Sequence, residues 1–183
     1  MKRVLYTLLC LSLMSLCGQA QEPQPSPVLE EHALLQKFTG DWTSVGKTIG
    51  TPDQPSTECK GKMSSHMLGD FWVVNKLEGT SVGMEFHGLQ TIGYDAEKQK
   101  YVGTWVDTMM NHMWKYEGTY DASTNKLSLV AEGPSFFVPG EKSQYRDSYE
   151  FKSDNKIIAT SEVMGDDGKW ITFMTGEMTR DKK

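Results

Sequence analysis

Apolar and polar residues alternate with a period of two along most of the chain after residue 40. Trp114, Tyr116 and Tyr120 fall on one side of such a segment, and Lys115 and Glu117 fall on the other. Successive side chains of a β-strand point to opposite faces, so each segment predicts a strand with one dry face and one wet face. The predicted strands span residues 41–48, 56–66, 70–79, 83–93, 99–108, 111–120, 125–132, 143–152, 155–163 and 169–180.

Short runs of turn-forming residues separate these strands. Gly69-Asp70, Asp121-Ala122-Ser123 and Ser153-Asp154-Asn155 are typical examples. Such connections are too short for crossover helices, so neighbouring strands must pair as antiparallel hairpins. A sheet of about eight to ten strands would have two unpaired edges, which closure into an up-and-down barrel removes. A two-sheet sandwich is the alternative all-β arrangement.

One short helix is predicted before the first strand. Its apolar residues recur at helical spacing at Val28, Leu34, Leu35 and Phe38. Ser26 is suited to the N-cap and Pro27 to the first helical position. Gly40 is typical of the residue that follows a helix end.

The first 20 residues have the three parts of a secretory signal peptide. Met1-Lys2-Arg3 is positively charged, an apolar stretch runs from Val4 to Leu16, and small residues at Gly18 and Ala20 predict cleavage after Ala20. The stretch is shorter than the ~20 residues of a membrane-spanning helix, which disfavours an uncleaved anchor. A lipid anchor on Cys17 is a further alternative, although Leu16 stands where a small residue is expected.

Cleavage would leave a secreted or periplasmic protein made of one domain over residues 28–183, preceded by an extended spacer at 21–27. Loss of Lys2 and Arg3 changes the net charge from −5 to −7. An acidic domain repels nucleic acid, so no nucleic-acid partner is expected, and no membrane-spanning segment remains after cleavage. The oligomeric state is left open.

Cysteine and histidine positions predict neither a disulfide nor a metal site. Cys59 is the one cysteine after residue 20, so an internal disulfide is impossible, and it is predicted as a small buried side chain. No short spacing of metal ligands occurs, and a set formed by Cys59, His87 and His112 is the weakest hypothesis. No cofactor is predicted.

A helix followed by Gly40-Asp41-Trp42 on the first strand resembles the opening of lipocalin-type barrels. In that family the tryptophan plugs the closed end of the barrel, and a basic residue after the last strand stacks on it. The resemblance implies these roles for Trp42 and Arg180.

Residues 28–180 also resemble a bacterial domain family whose function is not established. The segments that carry this resemblance are 35–42, 89–95, 101–110, 116–119, 131–135 and 167–170. It implies a lipocalin-like fold and no particular activity. Haem-binding barrels of the nitrobindin type open with Gly-x-Trp-x-Gly-x-Gly, but Ser44 replaces one of these glycines here. No histidine follows His112, where that type has its iron ligand, so haem is not expected.

The densest cluster of polar and aromatic residues lies at the predicted turn before the sixth strand. By alternation, Asp107 and His112 point into the barrel at its rim. The predicted ligand-binding residues of the interior are Trp105, Asp107, His112, Met113, Trp114, Tyr116, Tyr145 and Tyr149. The loop with Phe136-Phe137-Val138 is either a lid over the barrel mouth or packed on the exterior.

Three functions fit this pattern. The first is a binding protein that holds a small apolar or amphipathic molecule among the interior aromatic side chains. The second is an enzyme for a small molecule, with His112 and Asp107 as acid and base. The third is a barrel filled by its own side chains, with a structural or interaction role.

Overall fold

The computed structural model describes residues 26–50, 55–81 and 83–182. The predicted signal peptide and residues 21–25 of the predicted spacer lie outside the described residues. No helix in the described ranges is long and apolar enough to cross a membrane.

Ten antiparallel strands form one closed barrel in which each strand pairs with its neighbours in sequence and the first pairs with the last. The predicted all-β barrel with one short helix is therefore confirmed, and the sandwich is excluded. The strands are β1 (Gly40–Thr48), β2 (Glu58–Leu68), β3 (Trp72–Ser81), β4 (Met84–Asp95), β5 (Lys100–Asp107), β6 (Trp114–Asp121), β7 (Lys126–Pro134), β8 (Lys142–Ser153), β9 (Lys156–Met164) and β10 (Trp170–Arg180).

The helix is shorter than its apolar pattern predicts. It comprises α1 (Glu30–Leu35) and a 3₁₀ turn over Gln36–Phe38. The predicted start at Ser26 and Pro27 is wrong, because the backbone N–H of Leu29 donates to Nδ1 of His32 at 2.9 Å and sets the helix start there. Val28, assigned to the apolar face, is 57% exposed.

The helical segment closes one end of the barrel. Leu35 and Phe38 are fully buried there, and the Trp42 indole lies beneath them with its Nε1 donating to the Phe38 carbonyl at 2.7 Å. Arg180 Cζ lies 4.1 Å from the centre of the Trp42 ring. The same guanidinium donates to the backbone carbonyls of Thr39, Lys37 and Asp154, so it joins the last strand to the helical segment.

Apolar side chains fill the half of the barrel next to the helix. These fully buried residues are Val73, Ile92, Leu127, Leu129 and Ile157. Burial of such side chains contributes roughly 1.5–3 kcal/mol each, so this half supplies much of the stability of a domain without a disulfide. The opposite half is not filled, and the candidate site lies there.

Candidate ligand-binding cavity

The half of the barrel away from the helix encloses a cavity of about 320 Å³. A water molecule occupies about 30 Å³ in the liquid, so this volume corresponds to roughly ten waters and lies at the lower end of known ligand pockets. The predicted alternative of a barrel filled by its own side chains therefore applies only to the half next to the helix. Aromatic rings form much of the cavity wall, namely those of Phe86, Trp105, Trp114, Tyr116, Phe136, Tyr145, Tyr149 and Phe173.

Six of the eight predicted ligand-binding residues line this cavity. They are Trp105, Asp107, Trp114, Tyr116, Tyr145 and Tyr149. His112 and Met113 are not among the lining residues, and Met113 is 53% exposed. The alternation that placed His112 inside does not extend to it, because β6 begins only at Trp114. His112 packs edge-on against the Trp114 ring, with 4.9 Å between the ring centres.

Asp107 acts as a turn residue at the end of β5. One carboxylate oxygen accepts from the backbone N–H groups of Met109 and Met110 at 2.7 and 3.0 Å, and the other accepts from Trp105 Nε1 at 2.6 Å. These bonds end the strand and fix the orientation of the Trp105 indole. Among the described residues, no hydrogen bond joins Asp107 to His112, so the acid–base pair of the enzyme hypothesis is not assembled.

Two indoles of the cavity wall pack directly against glycines of neighbouring strands. A Cβ built on Gly133 would come within 2.2 Å of the Trp114 ring, and one built on Gly88 would come within 2.1 Å of the Trp105 ring. Any other amino acid at Gly133 or Gly88 would place its Cβ where the indole ring lies. The two glycines therefore help set the width of the cavity.

A carboxyl group that the sequence interpretation left out of the site lies within the cavity. Asp147 of β8 accepts hydrogen bonds from the Tyr116 hydroxyl at 2.5 Å and from the Ser161 hydroxyl at 2.6 Å. Burial raises the pKa of the Asp147 carboxyl, and the two hydrogen bonds act in the opposite direction. Burial also raises the pKa of the Tyr116 phenol, with the nearby Asp147 charge adding to the effect. The sequence carried a signal, because Asp147 shares its face with Tyr145 and Tyr149.

A second polar group extends toward the filled half of the barrel. Asn75 Nδ2 donates to Gln90 Oε1 at 2.9 Å, and Gln90 Nε2 donates to the Tyr149 hydroxyl oxygen at 2.9 Å. Asn75 and Gln90 are almost fully buried, and Gln90 and Tyr149 line the cavity. Asn75 follows Val73 at the period of the buried face, which is the signal that sequence reasoning passed over. The cavity thus has polar groups on the side of the filled half.

Aromatic side chains surround the open end. Phe136 lies 4.8 Å from Tyr145 and 6.2 Å from both Trp114 and Phe173, between ring centres. Its backbone N–H donates to the Tyr145 hydroxyl at 3.0 Å, which in turn donates to the Pro134 carbonyl at 3.0 Å. Of the two interpretations of this loop, Phe136 fits a lid, whereas the neighbouring Phe137 is 69% exposed and does not line the cavity.

The sulfur and imidazole groups do not gather at one point. Cys59 is half-buried in the cavity wall with its Sγ 3.5 Å from the Ser81 hydroxyl, rather than fully buried as predicted. His66 and His87 are exposed. Within the part of the chain that the structure describes, no group of three His, Cys, Asp or Glu residues could hold a metal ion. None of the histidines in the described ranges is among the lining residues of the cavity.

Comparisons with known structures identify the fold. The chain is similar to the crystal structure of Rv2717c from M. tuberculosis, with a TM-score of 0.63 and 11% identity over 85% of this chain and 100% of that chain. It is also similar to the S-type phycobiliprotein lyase CPES from Guillardia theta, with a TM-score of 0.54 and 11% identity over 85% of this chain and 94% of that chain. Identities this low establish the fold alone.

A search of curated proteins gives no match. At the level of families, one sequence model covers residues 27–180, which include all ten strands and the helix. The chain therefore belongs to the family described as protein of unknown function DUF1579.

Proposed function

We propose that the protein binds one small amphipathic molecule inside the barrel. The observation that carries this proposal is the cavity of about 320 Å³, with aromatic walls at its mouth and a hydrogen-bonded carboxyl group, Asp147, in its wall. Pockets for small molecules combine apolar walls with a few placed polar groups in the same way. The apolar part of the ligand would lie between the rings of Trp105, Trp114 and Tyr145, and its polar end would meet Asp147.

The polar end contributes to affinity as well as to orientation. A ligand that buries about 250 Å² of apolar surface gains about 6 kcal/mol at ~25 cal/mol per Å². Micromolar binding needs about 8 kcal/mol, and association itself has an entropic cost. Hydrogen bonds or charge contacts at the polar end must therefore supply the difference.

Titration of the purified protein with the neutral fluorescent dye N-phenyl-1-naphthylamine tests the proposal. We expect saturable binding at one site, because the dye is small and apolar enough for the aromatic mouth. Trp114→Ala should weaken binding at least about tenfold, since it removes one wall of the cavity. Trp170→Ala is the matched control, because Trp170 stacks on Arg146 and does not line the cavity.

Two results would contradict a ligand site in the barrel. One is non-saturable dye fluorescence in the wild-type protein, and the other is equal affinity in the wild type and Trp114→Ala. If the dye does bind at one site, mass spectrometry of small molecules that co-purify with the protein would identify the natural ligand.

We also propose that the protein acts outside the cytoplasm, as a secreted or periplasmic protein. The support is the signal-peptide pattern of residues 1–20. We expect the N-terminal sequence of the exported protein to begin at Gln21. An intact Met1 in a cytoplasmic fraction would refute export, and a lipid-sized mass increase on Cys17 in a membrane fraction would indicate the anchored form instead.

A further inference from the structure

Asp147 has no cationic partner among the described residues. Its two oxygens accept one hydrogen bond each, from Tyr116 and from Ser161, and no Lys, Arg or His forms an ion pair with it. The arginine one position earlier, Arg146, points to the outer face, where it pairs with Glu162 at 2.6 Å. The lining of the cavity also includes Asp107 and Glu78, and Lys60 and Lys62. None of these is hydrogen-bonded to or ion-paired with Asp147, so no basic side chain of the described part of the chain neutralises its charge.

The two hydrogen bonds of Asp147 leave its carboxylate able to accept a further donor. Both hydroxyls donate to the carboxylate, and a carboxylate has about four lone-pair positions, so two of them stay available. A carboxylate removed from water is costly unless it is paired and hydrogen-bonded. A ligand with a positive charge and N–H groups would supply both requirements.

The walls beside Asp147 favour the same kind of ligand. The faces of aromatic rings attract cations, and Tyr116, Tyr149 and Trp114 line the same cavity. A carboxylate or phosphate ligand would instead meet the Asp147 charge at close range. Two like charges 4 Å apart repel by about 4 kcal/mol at an effective dielectric constant of about 20.

We infer that the ligand is an aliphatic amine in its protonated form, with its ammonium group at Asp147 and its hydrocarbon part in the aromatic mouth. This inference rests on the proposed function, because it assigns the chemical class of the molecule that the same cavity binds. Gln90 and Tyr149, joined at 2.9 Å, offer further polar atoms in the same cavity.

Calorimetric titration with three probes of equal shape tests the charge of the ligand. The probes are 2-(1-naphthyl)ethylamine, 2-(1-naphthyl)ethanol and 1-naphthaleneacetate, which carry an ammonium, a hydroxyl and a carboxylate group respectively. On the wild-type protein we expect the amine to bind at least about tenfold more tightly than the alcohol, and the acetate to bind most weakly. This comparison requires no variant, so it does not depend on whether a substituted protein folds.

Substitution of Asp147 then locates the contact. Asp147→Asn should weaken amine binding at least about tenfold and change alcohol binding less than about threefold, because only the amine uses the charge. Glu162→Gln is the matched control, since Glu162 follows Ser161 in β9 but pairs with Arg146 on the outer face. It should leave the affinities for all three probes unchanged.

The outcomes separate this inference from the proposed function. If the alcohol binds as tightly as the amine, or if Asp147→Asn binds the amine as the wild type does, the amine assignment is wrong and the cavity still binds ligands. If none of the three probes and no N-phenyl-1-naphthylamine binds to the folded protein, the proposed function itself is wrong.

Discussion

Asp147 and Arg180 are the charged side chains whose surroundings matter most for this protein. Asp147 is enclosed by Tyr116, Tyr149 and Ser161 in the cavity wall, and burial raises the pKa of its carboxyl group. Arg180 lies at the opposite end of the barrel, stacked on Trp42 and bonded to backbone carbonyls of the helical segment. Asp147 therefore contributes a buried carboxyl group to the cavity wall, and Arg180 holds the closed end together.

The raised pKa of Asp147 predicts a specific dependence of stability on pH. The folded protein holds the proton of the Asp147 carboxyl group more tightly than the unfolded chain does. The contribution of Asp147 to the free energy of unfolding therefore falls as pH rises from about 4, the unfolded pKa, through the folded pKa. Asp147→Asn lacks this titration. On going from about pH 7 to about pH 4, the wild type should therefore gain stability relative to the variant.

Urea unfolding of both proteins across that pH range measures the effect. The titratable groups that face Asp147 are the phenols of Tyr116 and Tyr149, whose pKa values are raised by burial, so they stay neutral throughout. Parallel stability profiles for wild type and Asp147→Asn would show that the Asp147 carboxyl is not perturbed.

Arg180→Lys should lower the free energy of unfolding by about 1–3 kcal/mol, because a lysine ammonium cannot reach three carbonyls as the guanidinium does. Arg146→Lys is the matched control. Arg146 also lies over a tryptophan, with Cζ 4.5 Å from the Trp170 ring centre, but its ion pair is partly exposed on the outer face. Its substitution should cost less than about 1 kcal/mol, and equal costs for both variants would contradict the assigned role of Arg180.

At the scale of elements, the connection between β7 and β8 contributes an aromatic side chain to the mouth of the cavity. Phe136 contacts three aromatic rings of the mouth, while Phe137 next to it is exposed. Phe136→Ala should raise the dissociation rate of N-phenyl-1-naphthylamine about tenfold, and Phe137→Ala should change it less than about twofold. Stopped-flow fluorescence measures both rates, and indistinguishable rates for the two variants would exclude Phe136 as a lid.

Alternation along each strand predicted much of the barrel and of its cavity. It identified ten antiparallel strands and the wall positions of Trp105, Trp114 and Tyr145. The same period also places Asp147 and Asn75 on the buried face of their strands, and a polar residue on such a face indicates a hydrogen-bonded group. The sequence therefore contains the signal for both residues.

Departures from regular strands were beyond the sequence pattern. His112 was assigned by extending the period of β6 into residues where the backbone is irregular. Phe173 lines the cavity because a β-bulge between Thr172 and Met174 inserts one extra residue in β10, and bulges re-aim side chains. Hydrogen bonds such as those of Asp107 to Met109 and Met110 decide where strands end, and alternation does not show them.

At the scale of the whole molecule, the pairing of β1 with β10 removes every sheet edge. The pairs at the start of β1 are Trp42 with Arg180, Thr43 with Thr179, Ser44 with Met178 and Val45 with Glu177. Deletion of residues 177–183 would leave that part of β1 unpaired and would remove Arg180. We expect such a protein to self-associate and to lose its cooperative unfolding transition, because unpaired strand edges recruit other strands.

Size-exclusion chromatography and thermal unfolding followed by circular dichroism test this expectation. Deletion of residues 182–183 alone is the control, because the last strand ends at Arg180. A monomer with the wild-type unfolding midpoint after deletion of 177–183 would show that the barrel does not depend on this seam.

The pairing of β1 with β10 also determines when the barrel can close during protein synthesis. Thr43 and Asp181, which share a hydrogen bond of 2.8 Å, are 138 positions apart in the chain. β1 is synthesised well before β10, so the ring stays open until β10 has emerged from the ribosome. Contacts between such distant segments also form slowly. A nascent chain of this topology therefore carries an unclosed sheet with two free edges while strands β2 to β9 are being made.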